Sequence, residues 1–324
     1  MEQILRRLDD KGLAKSKEIT RVWQKCIETR MYPWLRTVQI PTILKEGDTY
    51  LHLAAKYGQI DMFKVILDIG ADINLVNNNG LTPFHVACQY GWIKIAEMLI
   101  KKCDALKIDS SRRSRCWNTA FHFACMGGKY ELAELIMKNS DNLKIDINEK
   151  NVYYKTGFDK ACENGHLEIV EMLMKNLSVE LSIMGYHLAC SAGHANIVKM
   201  LIDNSEFLKL DLSPEDNWVN TGFRNVCCAG HTDIAQILIE KSKHLKVDLS
   251  KGLESWGTTV FHIACHNGHA SMVEMLIDKS EFLKLDLTAI SNSRYSSTGF
   301  QLAVAMNRFD VIDVIKSKMP SLIV

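Results

Sequence analysis

A block of the form Thr-x-Phe-His-apolar-Ala-Cys returns again and again along this chain, and it rules out most of what 324 residues can fold into. It is plainest at Leu81-Thr82-Pro83-Phe84-His85-Val86-Ala87-Cys88 and returns at Thr119–Cys125 and Thr259–Cys265. An upstream relative, Thr49-Tyr50-Leu51-His52-Leu53-Ala54-Ala55, lies 33 residues before Thr82. Reduced versions are Thr156-Gly157-Phe158, Tyr186–Cys190, Thr221-Gly222-Phe223 and Thr298-Gly299-Phe300. Self-similarity at such a period signals a stack of small units, each too small to bury its own apolar face.

Within each copy two helices are expected. The Ala/Cys segment makes the first, with Thr82 as its N-cap and Pro83 in its first turn. A glycine follows (Gly58, Gly91, Gly165, Gly193, Gly230, Gly268), suited to a turn with positive φ. A second helix then carries apolar residues at helical spacing, as in Ile93, Ala96, Leu99 and Ile100 or Ile197, Val198, Met200 and Leu201.

The Thr-Pro-Phe-His and Gly-His motifs, in this order, resemble those of the ankyrin-repeat family. The resemblance implies an α class fold, a repeat solenoid of about eight ankyrin repeats over residues 46–318, each a helix-turn-helix plus a β-hairpin finger. Residues 1–45 fall outside the repeat and carry ten Lys/Arg against five Asp/Glu. Their stripe of Ile19, Val22, Trp23, Cys26 and Ile27 predicts an N-terminal helical cap or a docking segment. Residues 319–324 form a C-terminal tail.

Three departures from the family pattern stand out. The period is mostly 37 to 39, and the extra residues hold a Leu-Lys-apolar-Asp-apolar element, as in Leu143–Ile147 and Leu283–Leu287. Its alternation predicts an extended segment and therefore lengthened hairpin fingers. Between Phe158 and Tyr186 the period falls to 28, so one finger is expected to be missing. Gly157, Gly222 and Gly299 stand early in a helix, which reads as drift in looser copies because glycine there costs about 0.5–1 kcal/mol.

Chemistry is thinly represented. Cys88, Cys125, Cys162, Cys190, Cys227 and Cys265 share one slot and read as small core residues, not as disulfide or metal partners. The His-x-x-Cys pairs recur in separate copies, whereas zinc needs three or four ligands converging on one point. No metal or cofactor is called for. No Gly-x-Ser-x-Gly, phosphate-loop or His-Glu-x-x-His motif is present, so an enzyme is not expected.

A net charge of +1 argues against a dedicated nucleic-acid binder. No apolar run is long enough for a membrane span, and Met1–Asp10 does not resemble a signal peptide. The expected compartment is the cytosol, with the nucleus as the alternative.

Binding is read from residues that the repeat frame does not need. Trp117, Tyr153, Tyr154, Trp218, Trp256 and Tyr295 lie near the finger tips, just before the Thr slot. They either line an interface or stiffen their fingers. Arg112 and Arg113, in Arg112-Arg113-Ser114-Arg115, make a basic finger: a solvated loop, a contact for an acidic partner, or a kinase target at Ser114. The resemblance implies a scaffold or adaptor, monomeric by itself, that binds another protein on its concave face. The alternatives are a regulatory subunit of a phosphatase or ubiquitin ligase and a host-directed effector.

Overall fold

The computed structural model describes residues 47–68, 71–101, 111–176, 179–204, 218–242, 257–291 and 296–322. The segment 1–45 lies outside them. The chain divides into two compact units, Met1–Gly157 and Phe158–Val324.

The first unit holds helix pairs α1 (Tyr50–Lys56) and α2 (Ile60–Asp68), α3 (Pro83–Tyr90) and α4 (Ile93–Lys101), and α5 (Ala120–Met126) and α6 (Tyr130–Lys138). The four-residue α7 (Ser140–Leu143) follows, and α8 (Gly157–Glu163) begins at the boundary. The second unit continues with α9 (Leu167–Met174), then pairs α10 (Ile183–Ala192) and α11 (Ala195–Asp203), and α12 (Trp218–Ala229) and α13 (Thr232–Ser242). It ends with α14 (Val260–Asn267), α15 (Ala270–Asp278), the short α16 (Ser280–Leu283), α17 (Gly299–Ala305) and α18 (Phe309–Lys318). A 3-10 turn at Pro320–Leu322 closes the described chain, with Leu322 buried. Among the described residues there is no β-strand.

Threonine starts the first helices as expected. Thr49, Thr82, Thr119 and Thr259 each accept from the backbone N–H of the histidine three residues on, and that histidine accepts from the threonine N–H in return. These reciprocal bonds satisfy two donors that a helix start leaves open. The histidine Nδ1 is the acceptor, so Nε2 carries the proton. It donates to a carbonyl of the next finger: His52 to Leu81 at 2.7 Å, His85 to Arg112 at 2.8 Å and His122 to Lys155 at 3.0 Å. Gln301 reproduces the cap on Thr298. In α8 the slot holds a fully buried carboxylate, Asp159, which accepts from the Ser182 hydroxyl.

The turn glycines explain the Gly-His pairing. Gly58, Gly91, Gly165, Gly193, Gly230 and Gly268 have φ between 66° and 85°. Each also carries, flat against it, a side chain from the following helix pair. A Cβ on Gly165, Gly193 or Gly230 would lie 2.6 Å from the ring of His194, His231 or His269. Those rings donate across to the last carbonyls of the preceding first helix: Glu163 at 3.0 Å, Ser191 at 3.2 Å and Cys228 at 2.8 Å. Trp92 on Gly58 does the same to Lys56 at 3.1 Å, and Arg308 on Gly268 to His266 at 3.0 Å.

The early helical glycines are close contacts, which corrects their reading as drift. A Cβ on Gly157 would meet Phe121 at 2.6 Å, on Gly185 Phe158 at 2.6 Å, on Gly222 Tyr186 at 2.7 Å and on Gly299 Phe261 at 2.7 Å. The slot cysteine completes the same contact: Cys125, Cys162 and Cys265 Sγ lie 3.0–3.2 Å from the Cβ positions of Gly157, Gly185 and Gly299. All six slot cysteines are fully buried, whereas Val304, in the same slot of α17, is 47% exposed.

The expected extended elements are not what the added residues build. Ser140–Leu143 and Ser280–Leu283 are single helical turns, ended by Lys144 and Lys284 in the left-handed region at φ 51° and 50°. Their alternating pattern arises because Leu143 and Ile145, and likewise Leu283 and Leu287, are buried around that reversal. Ten positions separate Asp72 from Thr82 and Asp146 from Thr156 alike, so the finger itself is not longer. At the short period only residues 175–182 separate α9 from α10, and 177 and 178 lie outside the described residues.

Two outcomes follow from this packing. Gly299→Ala improves intrinsic helix propensity, yet it is expected to destabilise by about 1–3 kcal/mol, because Phe261 is buried and cannot retreat. A urea midpoint at or above wild type would refute this. Burial lowers the His262 pKa, partly opposed by the carbonyls of Ala289 and Ser297 and by Asp286. The folded chain therefore keeps this imidazole neutral where the unfolded chain protonates it, below pH of about 6.5. Its stability contribution is present above that pH and is lost as pH falls through it. His262→Gln, which can cap as Gln301 does, should have a flatter dependence of Tm on pH between about 7 and about 5.

Candidate partner-binding surface

The fingers of the first unit are built on one local plan. Asn77, Ser114 and Asn151 are buried and open a tight turn. Asn77 Oδ1 accepts from the N–H groups of Asn79 and Leu81, and Asn151 Oδ1 from those of Tyr153 and Lys155, at 2.9–3.1 Å. Ser114 Oγ accepts from Asn118 N–H at 3.0 Å. This buries the hydroxyl, so the kinase reading of Ser114 fails on access. Neighbouring fingers are tied by backbone bonds from Arg115 to Asn79 at 3.0 Å and from Val152 to Cys116 at 3.2 Å. Asn151 also donates to the Asn118 side chain at 2.8 Å.

In six copies, Ser296 before Thr298 among them, the residue two positions before the Thr slot has positive φ. Gly47, Gly80 and Gly257 hold this position with φ of 74°, 73° and 59°. Trp117 and Tyr154 hold the equivalent position with φ of 60° and 58°. Left-handed backbone costs an L-residue with a Cβ roughly 1–2 kcal/mol, which glycine avoids. Nor does burial repay that cost, since Trp117 is 53% exposed, Tyr153 62% and Tyr154 79%. Aligning the copies on the Thr slot reveals this register from sequence alone; reading the rings only for size and polarity misses it.

Arg112 and Arg113 surround this patch. Arg113 forms an ion pair with Glu149, and its guanidinium sits 5.6 Å from the Trp117 ring centroid. Arg112 donates to the Asn74 carbonyl at 3.0 Å. The structure thus brings Arg113, Trp117, Tyr153 and Tyr154 together on two bonded fingers. Trp218 is the first residue of α12, so it opens a helix and does not stand on a finger. Trp256 and Tyr295 lie outside the described residues.

The slot cysteines are poorly suited to nucleophilic chemistry. Burial pushes the Cys190 and Cys265 thiols up to about 12 and raises those of Cys88, Cys125 and Cys227 as well. The thiolate is the reactive form. In the neighbouring histidines both ring nitrogens of His52, His85 and His122 are already bonded to backbone. Among the described residues no group of three or more His, Cys, Asp or Glu is placed to hold a metal ion. None of the described helices is long and apolar enough to cross a membrane.

A family model described as ankyrin repeats (3 copies) matches residues 34–111, 106–183, 161–248, 186–286 and 223–320. The chain belongs to the ankyrin-repeat family. Similar proteins include the ankyrin repeat domain-containing protein SOWAHB of Xenopus laevis, 38% identical over 79 residues. The neurogenic locus Notch protein of Drosophila melanogaster is 40% identical over 60 residues. Protein phosphatase 1 regulatory subunit 27 of Mus musculus is 38% identical over 65 residues. These matches involve 22%, 18% and 20% of this ankyrin-repeat chain and 10%, 2% and 42% of the respective relatives.

The strained tip supplies a stability test. Tyr154→Gly removes the left-handed penalty of about 1–2 kcal/mol and adds a glycine entropy cost of about 0.5–1 kcal/mol. The variant should therefore be more stable than wild type by about 0.5–1 kcal/mol in urea unfolding. A loss of stability would show that the exposed ring supports its finger.

Proposed function

We propose that this chain is an array of about eight ankyrin repeats, each a helix pair with a hairpin-like finger, that binds a partner protein as an adaptor or scaffold. The proposed contact surface is the row of finger tips. In the first unit it consists of Trp117, Tyr153 and Tyr154 with Arg112 and Arg113; in the second unit Trp256 and Tyr295 are proposed as contact residues of the same kind. Further parts of the reading are a chain that is monomeric by itself, non-catalytic, and in the cytosol or nucleus.

One observation carries it. Two large aromatic residues occupy a left-handed turn position where three sister copies have glycine and one has Ser296, and their rings are half or more exposed. Backbone strain at an exposed position that burial does not repay supports a role outside the fold. Tyr and Trp anchor interfaces because they bury large area for little lost rotamer freedom.

The similarity to protein phosphatase 1 regulatory subunit 27, spanning 42% of that protein, favours a second reading. In it the chain is a non-catalytic regulatory subunit, and the partner is an enzyme.

The test is affinity capture from source-cell extract with wild type and a Tyr153→Ser, Tyr154→Gly double variant. A protein retained by wild type and lost by a variant of equal or higher Tm supports the tip surface. Equal retention by both overturns it. Recovery of a phosphatase catalytic subunit as the lost protein supports the second reading.

A further inference from the structure

We infer that the tip surface of the first unit recognises an acidic, extended protein segment that carries apolar side chains. This rests on the tip-surface reading and adds the chemistry of the partner. The chain as a whole has a net charge of +1, yet residues 111–119 and 146–156 together hold five basic residues, Arg112, Arg113, Arg115, Lys150 and Lys155, against Asp146 and Glu149. Charge is therefore concentrated where the rings are.

The cations differ in availability. Glu149 pairs with Arg113, which also lies against the Trp117 ring, so this arginine holds the two fingers together. Arg115 is exposed and has no acidic partner among the described residues, and its backbone N–H is fixed to Asn79. Lys150 is also exposed. Val152, Tyr153 and Tyr154 add apolar surface beside these charges, with Val152 bonded to the finger that carries Arg115. Carboxylates on a partner would meet Arg115 and Lys150, and its apolar side chains would meet the rings. Arginine holds a carboxylate through two parallel N–H groups, which fixes direction as well as charge.

Aromatic rings beside cations also suit single-stranded nucleic acid. The Glu149 carboxylate argues against it, because it neutralises the central guanidinium and repels a continuous phosphate backbone. Separate carboxylates on a protein segment avoid it.

The experiment uses the full chain, following Trp fluorescence and anisotropy during titration with a labelled glutamate–tyrosine copolymer. A lysine–tyrosine copolymer and a single-stranded oligouridylate serve as comparisons. The acidic copolymer should bind and the basic one should not. Arg115→Glu, Lys150→Glu should weaken acidic binding by about ten-fold or more without lowering Tm. Raising salt from about 50 mM to about 300 mM should weaken it further, because exposed charges are then screened. Equal binding of the basic copolymer, tighter binding of the oligouridylate, or an unaffected double variant would overturn the inference. The tip surface itself is judged separately. If the captured protein is lost with Tyr153→Ser, Tyr154→Gly but kept with Arg115→Glu, Lys150→Glu, the tip surface stands and its acidic preference falls.

Discussion

Five first helices, α1, α8, α10, α12 and α14, end in carbonyls that their own turn leaves without donors, and the following helix pair supplies one. His194, His231 and His269 lie on the glycine of the preceding pair and donate to the carbonyl just beyond its reach. The glycine serves twice here. Its positive φ reverses the chain, and its missing Cβ lets the ring come close enough to bond. At the other end of the first helix, His52, His85 and His122 cap their own helix with one nitrogen and bond the next finger with the other. Helix ends that would be unsatisfied in an isolated pair are thus closed by neighbours, which makes stacking a condition of each pair's stability.

The core between pairs obeys the same dependence. Phe121, Phe158, Tyr186 and Phe261 press on a glycine of the following pair, and a cysteine thiol fills the space beside three of them. The six slot cysteines are wholly buried, whereas Val304, which occupies the slot in α17, stands half open. The same burial that raises thiol pKa values at Cys190 and Cys265 removes them from chemistry.

Much of this was legible in the sequence because it is local and repeated. Thr-x-x-His spells a helix start, Gly-His a helix end, and Ala-Cys a buried face, and each signal recurs often enough to outweigh its exceptions. The short junction between α9 and α10 could be read from the 28-residue spacing. The Leu-Lys-apolar-Asp-apolar element misled for a physical reason. Alternating burial arises from an extended strand, but also from a helical turn that ends in a left-handed lysine, and Lys144 and Lys284 provide the second case.

The sequence by itself determined the helix pairs, their capping and their buried faces, since these follow from contacts between residues near in the chain and from a pattern repeated along it. Only the tertiary structure decided why glycine stands at Gly299, because the obstacle there is a ring 38 residues earlier, Phe261. It also decided which of the finger residues stand together in solvent. Arg113 meets Glu149 and Trp117 only after the Asn-anchored and Ser-anchored turns and the bonds between fingers have set two separate tips side by side.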